Sequence, residues 1–151
     1  MVAFETLNSR YGNENVKIVA GDNNLPKIVL TINQSRVEVY LHGANVTSFV
    51  TSDGKEVLYM SEKAIIAESS KIRGGVPICF PQFGPGELVQ HGFARQSDEW
   101  MITDSSSSEQ SASVTLTLRD TRESREMWNQ NQFRCDYTIT LTSSDQLILN
   151  M

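Results

Sequence analysis

Hydrophobic and polar positions alternate with a period of two along much of the chain. In F-R-C-D-Y-T-I-T-L (133–141), Phe133, Cys135, Tyr137, Ile139 and Leu141 fall on one face and Arg134, Asp136, Thr138 and Thr140 on the other. That is the pattern of a half-buried β-strand. R-V-E-V-Y-L-H (36–42) and S-V-T-L-T-L-R (113–119) repeat it, and K-I-V-L-T-I (27–32) and E-V-L-Y-M (56–60) are shorter candidates. H-G-A-N and S-D-G-K place turn residues between them. Several short strands at this spacing predict an all-β fold, an antiparallel β-sandwich, rather than alternating α/β units. By the same alternation His42 shares a face with Glu38 and Tyr40 and reads as an exposed strand residue.

Helix signals are scarce. T-R-E-S-R-E-M-W (121–128) has room for a turn or two of helix, but its mixed charges read as a solvated connector. The serine run S-S-S-S-E-Q-S-A-S (105–113) reads as a flexible hairpin loop, because strand patterns resume on both sides. The closing D-Q-L-I-L-N-M (145–151) reads as a strand still in progress. Residues 64–95 carry little regular pattern, and a connection of that length is either functional or disordered. Phe80, Phe83 and Phe93 within it favour order.

At 151 residues the chain fits one domain over 1–151. A net charge of -5 with scattered basic residues makes nucleic acid and anionic membrane poor partners. No stretch reaches the run of about 18 apolar residues that a membrane span needs. The amino terminus lacks a basic start and an apolar run, which predicts a cytoplasmic protein. Cys79 and Cys135 have neither C-x-x-C spacing nor enough histidines nearby for a metal site, and are expected to be buried free thiols.

Three of the four prolines and five of the nine glycines lie between residues 71 and 95. Pro77, Pro81 and Pro85 stiffen a path that no sheet ladder holds, while the glycines admit positive φ and close backbone approach. Such a segment presents side chains with little entropy left to lose on binding. Those side chains are Arg73, Gln82, Gln90, His91 and Arg95. Two converging arginines hold a phosphate or carboxylate, and Gln and His suit sugar hydroxyls. The competing reading is an arginine paired with a surface carboxylate and a histidine in a structural hydrogen bond.

R-G-G-V-P-I-C-F-P-Q-F-G-P (73–85) followed by Q-H-G-F-A-R (90–95), with Trp100 beyond, resembles the signature of the glucose-6-phosphate 1-epimerases. These are a branch of the aldose 1-epimerase (galactose mutarotase-like) family. Y-L-H-G-A-N-V-T-S-F (40–49), E-V-L-Y-M-S (56–61) and C-D-Y-T-I-T-L (135–141) extend the resemblance from about residue 25 to the end. It implies a β-supersandwich that interconverts the α and β anomers of glucose 6-phosphate without a cofactor, its substrate-binding loop within 64–95. Arg73, Gln90 and Arg95 match substrate-binding positions, and His91 matches a histidine lining the sugar site, expected to hydrogen-bond rather than act as general acid. The family's catalytic histidine and glutamate lie in later segments that this chain does not contain, so no residue inherits those roles. The chain is therefore expected to correspond to roughly the amino-terminal half of such an enzyme, with sheet edges open to self-association. A non-catalytic sugar-phosphate-binding module and an inactive fragment are the alternatives.

Overall fold

The computed structural model describes residues 3–151, and their order follows the alternation closely. Helix α1 (Phe4–Tyr11) precedes strands β1 (Val16–Ala20), β2 (Pro26–Ile32), β3 (Ser35–Tyr40) and β4 (Asn45–Val50). A long irregular connection then leads to β5 (Met101–Ser107), β6 (Ser111–Arg119), helix α2 (Arg122–Met127), β7 (Arg134–Thr142) and β8 (Leu147–Asn150). The strands form two four-stranded antiparallel sheets, β1-β2-β3-β4 and β5-β6-β7-β8.

The inward face of each strand is the apolar one. Ile28, Leu30 and Ile32 of β2, Val37 and Val39 of β3, Val114, Leu116 and Leu118 of β6, and Tyr137, Ile139 and Leu141 of β7 all enter a single buried cluster. That shared core makes the sheets a sandwich, held by the apolar surface both remove from water. Outward positions are polar and pair across strands, as where Ser106 meets Ser113 at 2.8 Å and Thr115 meets Thr138 at 2.9 Å. No helix among the described residues is long and apolar enough to cross a membrane.

Asp145 links the two layers from the turn between β7 and β8. Its carboxylate accepts from the hydroxyls of Ser35 and Ser52 and, at 2.9 Å, from the Ser52 amide. The Ser35 bond first, then the two Ser52 bonds, hold this carboxyl below the usual aspartate value.

Several expectations need correction. The serine run is mostly strand: β5 continues through Ser107 and β6 begins at Ser111, because cross-strand hydroxyl bonds and the backbone ladder extend the hairpin. Residues 56–60 form no strand; only Glu56 and Met60 make isolated bridges. There the Glu56 carboxylate takes the edge of β4, accepting from the amides of Phe49 at 2.9 Å and Leu58 at 3.0 Å. Residues 122–127 do form helix, because Thr121 and Ser124 cap it reciprocally through bonds of 2.8 and 3.1 Å. Helix α1 and strand β1 went unanticipated. Phe4, Leu7 and Tyr11 of α1 pack on the core, and the Asn8 side chain accepts from the Ile18 amide at 2.8 Å. Cys79 and Cys135 are free thiols, but half-buried rather than buried. His42 is not exposed at all, as detailed below.

Two outcomes follow from this packing. Leu116→Ala, at a fully buried β6 position, is expected to lower the unfolding free energy by about 3 kcal/mol, read by urea denaturation. Because the folded Asp145 carboxyl titrates below its unfolded value of 3.8, its contribution is complete above the unfolded value and is lost as pH falls through the folded one. Melting temperature should therefore decline on acidification below about pH 4, with part of that decline absent in Asp145→Asn.

Candidate functional site

Residues 51–93 contain no helix or strand, yet the path is held at many points. Phe80 is one anchor. Its ring meets those of Phe93, Trp128 and Phe133 at centroid distances of 6.2, 5.6 and 5.1 Å, all edge-on. Its carbonyl accepts from the amides of Phe93 at 3.0 Å and Ala94 at 3.2 Å. Gly92 allows that approach, since a Cβ there would lie 2.1 Å from the Phe80 oxygen and its φ is +72°. Phe83 plays no such part: it is 82% exposed, with its ring centroid 5.2 Å from that of His91.

Gln82, read from sequence as a ligand-facing side chain, is instead part of the loop's frame. Its Nε2 donates to the carbonyls of Gly84 at 2.9 Å and Leu88 at 3.3 Å, and its Oε1 accepts from the Leu88 amide at 3.1 Å. Side-chain amide donors and acceptors here take the place of a ladder.

The turn between β3 and β4, His42 to Asn45, joins the middle of the loop to its end. At Gly43 a Cβ would lie 2.4 Å from the Arg95 carbonyl oxygen, and the Gly43 amide donates to the Ser97 carbonyl at 2.9 Å. At Gly75 a Cβ would lie 2.2 Å from the Val46 oxygen, whose carbonyl accepts from the Val76 amide at 2.9 Å. The segment containing Arg95 thus rests against Gly43 of the turn, and the segment Arg73-Gly74-Gly75 against Asn45 and Val46 where the turn passes into β4. Asn45, 1% exposed, donates to the Gly74 carbonyl at 3.3 Å and leaves its Oδ1 without a partner.

His42 is 3% exposed beneath this turn. Its Nδ1 lies 2.5 Å from Asp98 Oδ1 and its Nε2 lies 2.7 Å from the Ser70 carbonyl oxygen. Alternation misplaced it because the chain leaves β3 at Tyr40 and turns through a 3-10 helix at His42–Ala44, which rotates the side chain inward. The H-G-A-N signal for a turn was the clue that strand periodicity ends before His42.

Arg73 is exposed and makes no side-chain hydrogen bond or ion pair among the described residues. Arg95 is half-buried; one Nη donates to the Gln90 carbonyl at 2.9 Å, and its buried Nε has no acceptor. The Gln90 side chain is exposed. His91, at φ +67°, accepts at Nδ1 from the Gly84 amide at 2.9 Å, so in the neutral ring the hydrogen sits on Nε2. Gln90, His91 and Arg95 are therefore brought together directly. Arg73 reaches them only through the shared turn, and no hydrogen bond joins it to the other three.

Two hollows in the surface are lined by other residues. A cleft of about 270 Å³ lies under α2, with Asp98, Arg119, Glu123 and Phe133 among its walls. A second, of about 350 Å³, lies between Gln82 and Trp128. Arg73, Gln90, His91 and Arg95 line neither.

The family profile described as Aldose 1-epimerase matches residues 26–151. The chain belongs to the aldose 1-epimerase family. A Cenchrus ciliaris protein named "Putative glucose-6-phosphate 1-epimerase" is 37% identical over 140 residues, covering 88% of this chain and 42% of the relative. An Escherichia coli protein of the same name is 32% identical over 107 residues, 69% of this chain and 36% of its own length. Among solved structures, a Salmonella typhimurium protein described as a "putative mutarotase" superposes with a TM-score of 0.78 at 26% identity, covering 86% of this chain and 44% of that one. A galactose 1-epimerase from Lactobacillus acidophilus shares the fold, with a TM-score of 0.59 at 19% identity. The chain thus spans less than half the length of each of these proteins.

The close approach at Gly43 generates a test. Gly43→Ala is expected to cost at least about 1–2 kcal/mol from the left-handed φ alone, with further loss from the overlap with the Arg95 oxygen. Chemical denaturation reads the total, and NMR shifts should localise the disturbance to residues 94–97; unchanged stability would mean these backbones are not in contact.

Proposed function

We propose that this chain carries the phosphosugar-holding part of an aldose 1-epimerase site, with glucose 6-phosphate as its ligand, in the interconversion of the sugar's α and β anomers. The observation that supports it is the state of two arginines in an acidic chain. Lys27, Arg36, Arg122, Arg125 and Arg134 all pair with carboxylates. Arg10 and Arg119, also without a carboxylate partner among the described residues, lie on α1 and β6. Arg73 and Arg95 are the arginines without a carboxylate partner, among the described residues, that stand on the segments gathered by the His42–Asn45 turn, and Arg95 has a buried Nε without an acceptor. A phosphate dianion supplies the acceptors that these guanidinium groups lack. Gln90 and the Nε2 of His91 then stand ready for sugar hydroxyls.

The reaction removes a proton from the anomeric hydroxyl and delivers one to the ring oxygen as the bond between C1 and that oxygen breaks. Rotation about the C1 to C2 bond and reclosure give the other anomer. In this scheme the present residues bind and orient, while the resemblance assigns proton transfer to later segments. A second reading, a sugar-phosphate-binding module without turnover, is favoured by one observation: both ring nitrogens of His42 and one of His91 are already engaged.

Calorimetric titration with glucose 6-phosphate tests the binding. Arg95→Ala is expected to weaken affinity at least tenfold, the worth of about 1.5–3 kcal/mol for a charged hydrogen bond; unchanged affinity removes Arg95 from the site. Magnetisation exchange between the two anomers, measured by NMR against a buffer blank, separates the readings. Exchange above the blank supports turnover, and binding with exchange equal to the blank supports the module.

A further inference from the structure

We propose that His42 and Asp98 form a positioning clamp that sets the separation and orientation of Arg73 and Arg95; the functional part of this proposal rests on the phosphosugar reading above. Ser70 lies three residues before Arg73, and Asp98 three residues after Arg95. The His42 ring spans the gap between those segments, with Nδ1 2.5 Å from the Asp98 carboxylate and Nε2 2.7 Å from the Ser70 carbonyl. Asp98 closes the circuit through its second oxygen, which accepts from the Ser69 amide at 3.2 Å. One imidazole and one carboxylate therefore fasten both arginine-bearing segments to each other and to the turn beneath them.

Ser69 stands at φ +57°, a left-handed conformation that a non-glycine residue holds only when its surroundings impose it. The Ser70 hydroxyl tightens the same bend, donating to the Ile65 carbonyl at 3.1 Å and accepting from the Ala67 amide at 3.1 Å. The ring is 3% exposed, whereas the Asp98 side chain keeps 34% of its surface. The buried member is thus shielded, and the other can be altered at the surface. No sheet ladder runs through residues 51–93; the Met60–Gly74 bridge and the Ser61 amide bond to the Arg73 carbonyl fix Arg73 locally, and the clamp, with Gly43 and Gly75, sets its segment against that of Arg95. Preorganisation of this kind reduces the side-chain and loop entropy lost when a ligand is bound.

The experiment compares the chain with Asp98→Ala. Without ligand, amide exchange at residues 69–73 and 94–97, with ¹⁵N relaxation of the Arg73 and Arg95 Nε–H groups, reads the clamp directly. Exchange at those residues is expected to accelerate at least tenfold and the guanidinium groups to become more mobile, with amides of β6 and β7 unchanged. With ligand, affinity for glucose 6-phosphate is expected to fall about tenfold, while the weaker saturation-transfer signal of unphosphorylated glucose stays as it was. A general loss of structure would reduce both ligands alike and loosen β6 and β7 as well, which overturns a positioning role. Unaltered exchange and arginine mobility in folded Asp98→Ala also overturn it. If the unaltered chain does not bind glucose 6-phosphate, the proposed function fails, and the clamp stands or falls on the ligand-free measurements. Should Asp98→Ala not fold, Asp98→Asn keeps the shape and an acceptor for His42 while setting an N–H against the Ser69 amide. It is read by the same exchange criterion.

Discussion

Two backbone contacts too close for any side chain govern the region outside the sheets. Gly43 lies against the Arg95 carbonyl and Gly75 against the Val46 carbonyl, with a Cβ at either position falling 2.4 Å or less from an oxygen. One involves the short turn that ends β3, the other the start of β4 that follows it. Because that turn belongs to the sandwich, every constraint on it is inherited from the core. The loop between β4 and β5 has no ladder of its own and is shaped by what it touches: the turn at Gly43 and Gly75, the aromatic group around Phe80, and the imidazole of His42. Polar groups in such a path have to find partners one by one, and Gln82, Glu56 and Asp98 provide them.

The sandwich itself rests on more general physics. Alternating apolar faces from both sheets merge into one cluster, and the energy of burying them does not depend on the detail of any single contact. Against that background, individual polar links decide orientation. Asp145 ties the β7–β8 turn to Ser35 and Ser52 on the opposite layer, and Asn15 reaches from the start of β1 to the Ser107 hydroxyl at 2.8 Å. Trp100, 2% exposed, donates to the Ala94 carbonyl at 3.0 Å and seats the end of the loop as β5 begins. The electrostatic pattern is similarly divided. Lys27, Arg36, Arg122, Arg125 and Arg134 pair with nearby carboxylates, whereas Arg73, in the middle of the loop, and Arg95, near its end, have no carboxylate partner among the described residues.

Alternation located β2, β3, β6 and β7 and assigned the fold class, because a half-buried strand must repeat every two residues and little else produces that pattern. Its failures have local causes. At His42 the period ends one turn earlier than the eye carries it, and an apparently solvent-facing histidine is buried at 3% exposure. Around Glu56 a carboxylate occupies the hydrogen-bonding edge where a strand would have continued. Among the serines, hydroxyl pairs across the hairpin turn a flexible-looking composition into ladder. In each case the deciding partner lies at a distance in sequence or on another strand, beyond the reach of local pattern.

By itself, then, the sequence determined the layered β architecture and, through the resemblance carried by R-G-G and Q-H-G-F-A-R, the aldose 1-epimerase family, because periodicity and motif are properties of neighbouring residues. Only the tertiary structure decided how Arg73 and Arg95, 22 positions apart, come to share one turn, that Gln82 is scaffold, and that His42 joins Ser70 to Asp98. Those outcomes depend on close approach between segments remote in sequence. Such approach is settled by where glycines leave room and where buried polar atoms find their partners.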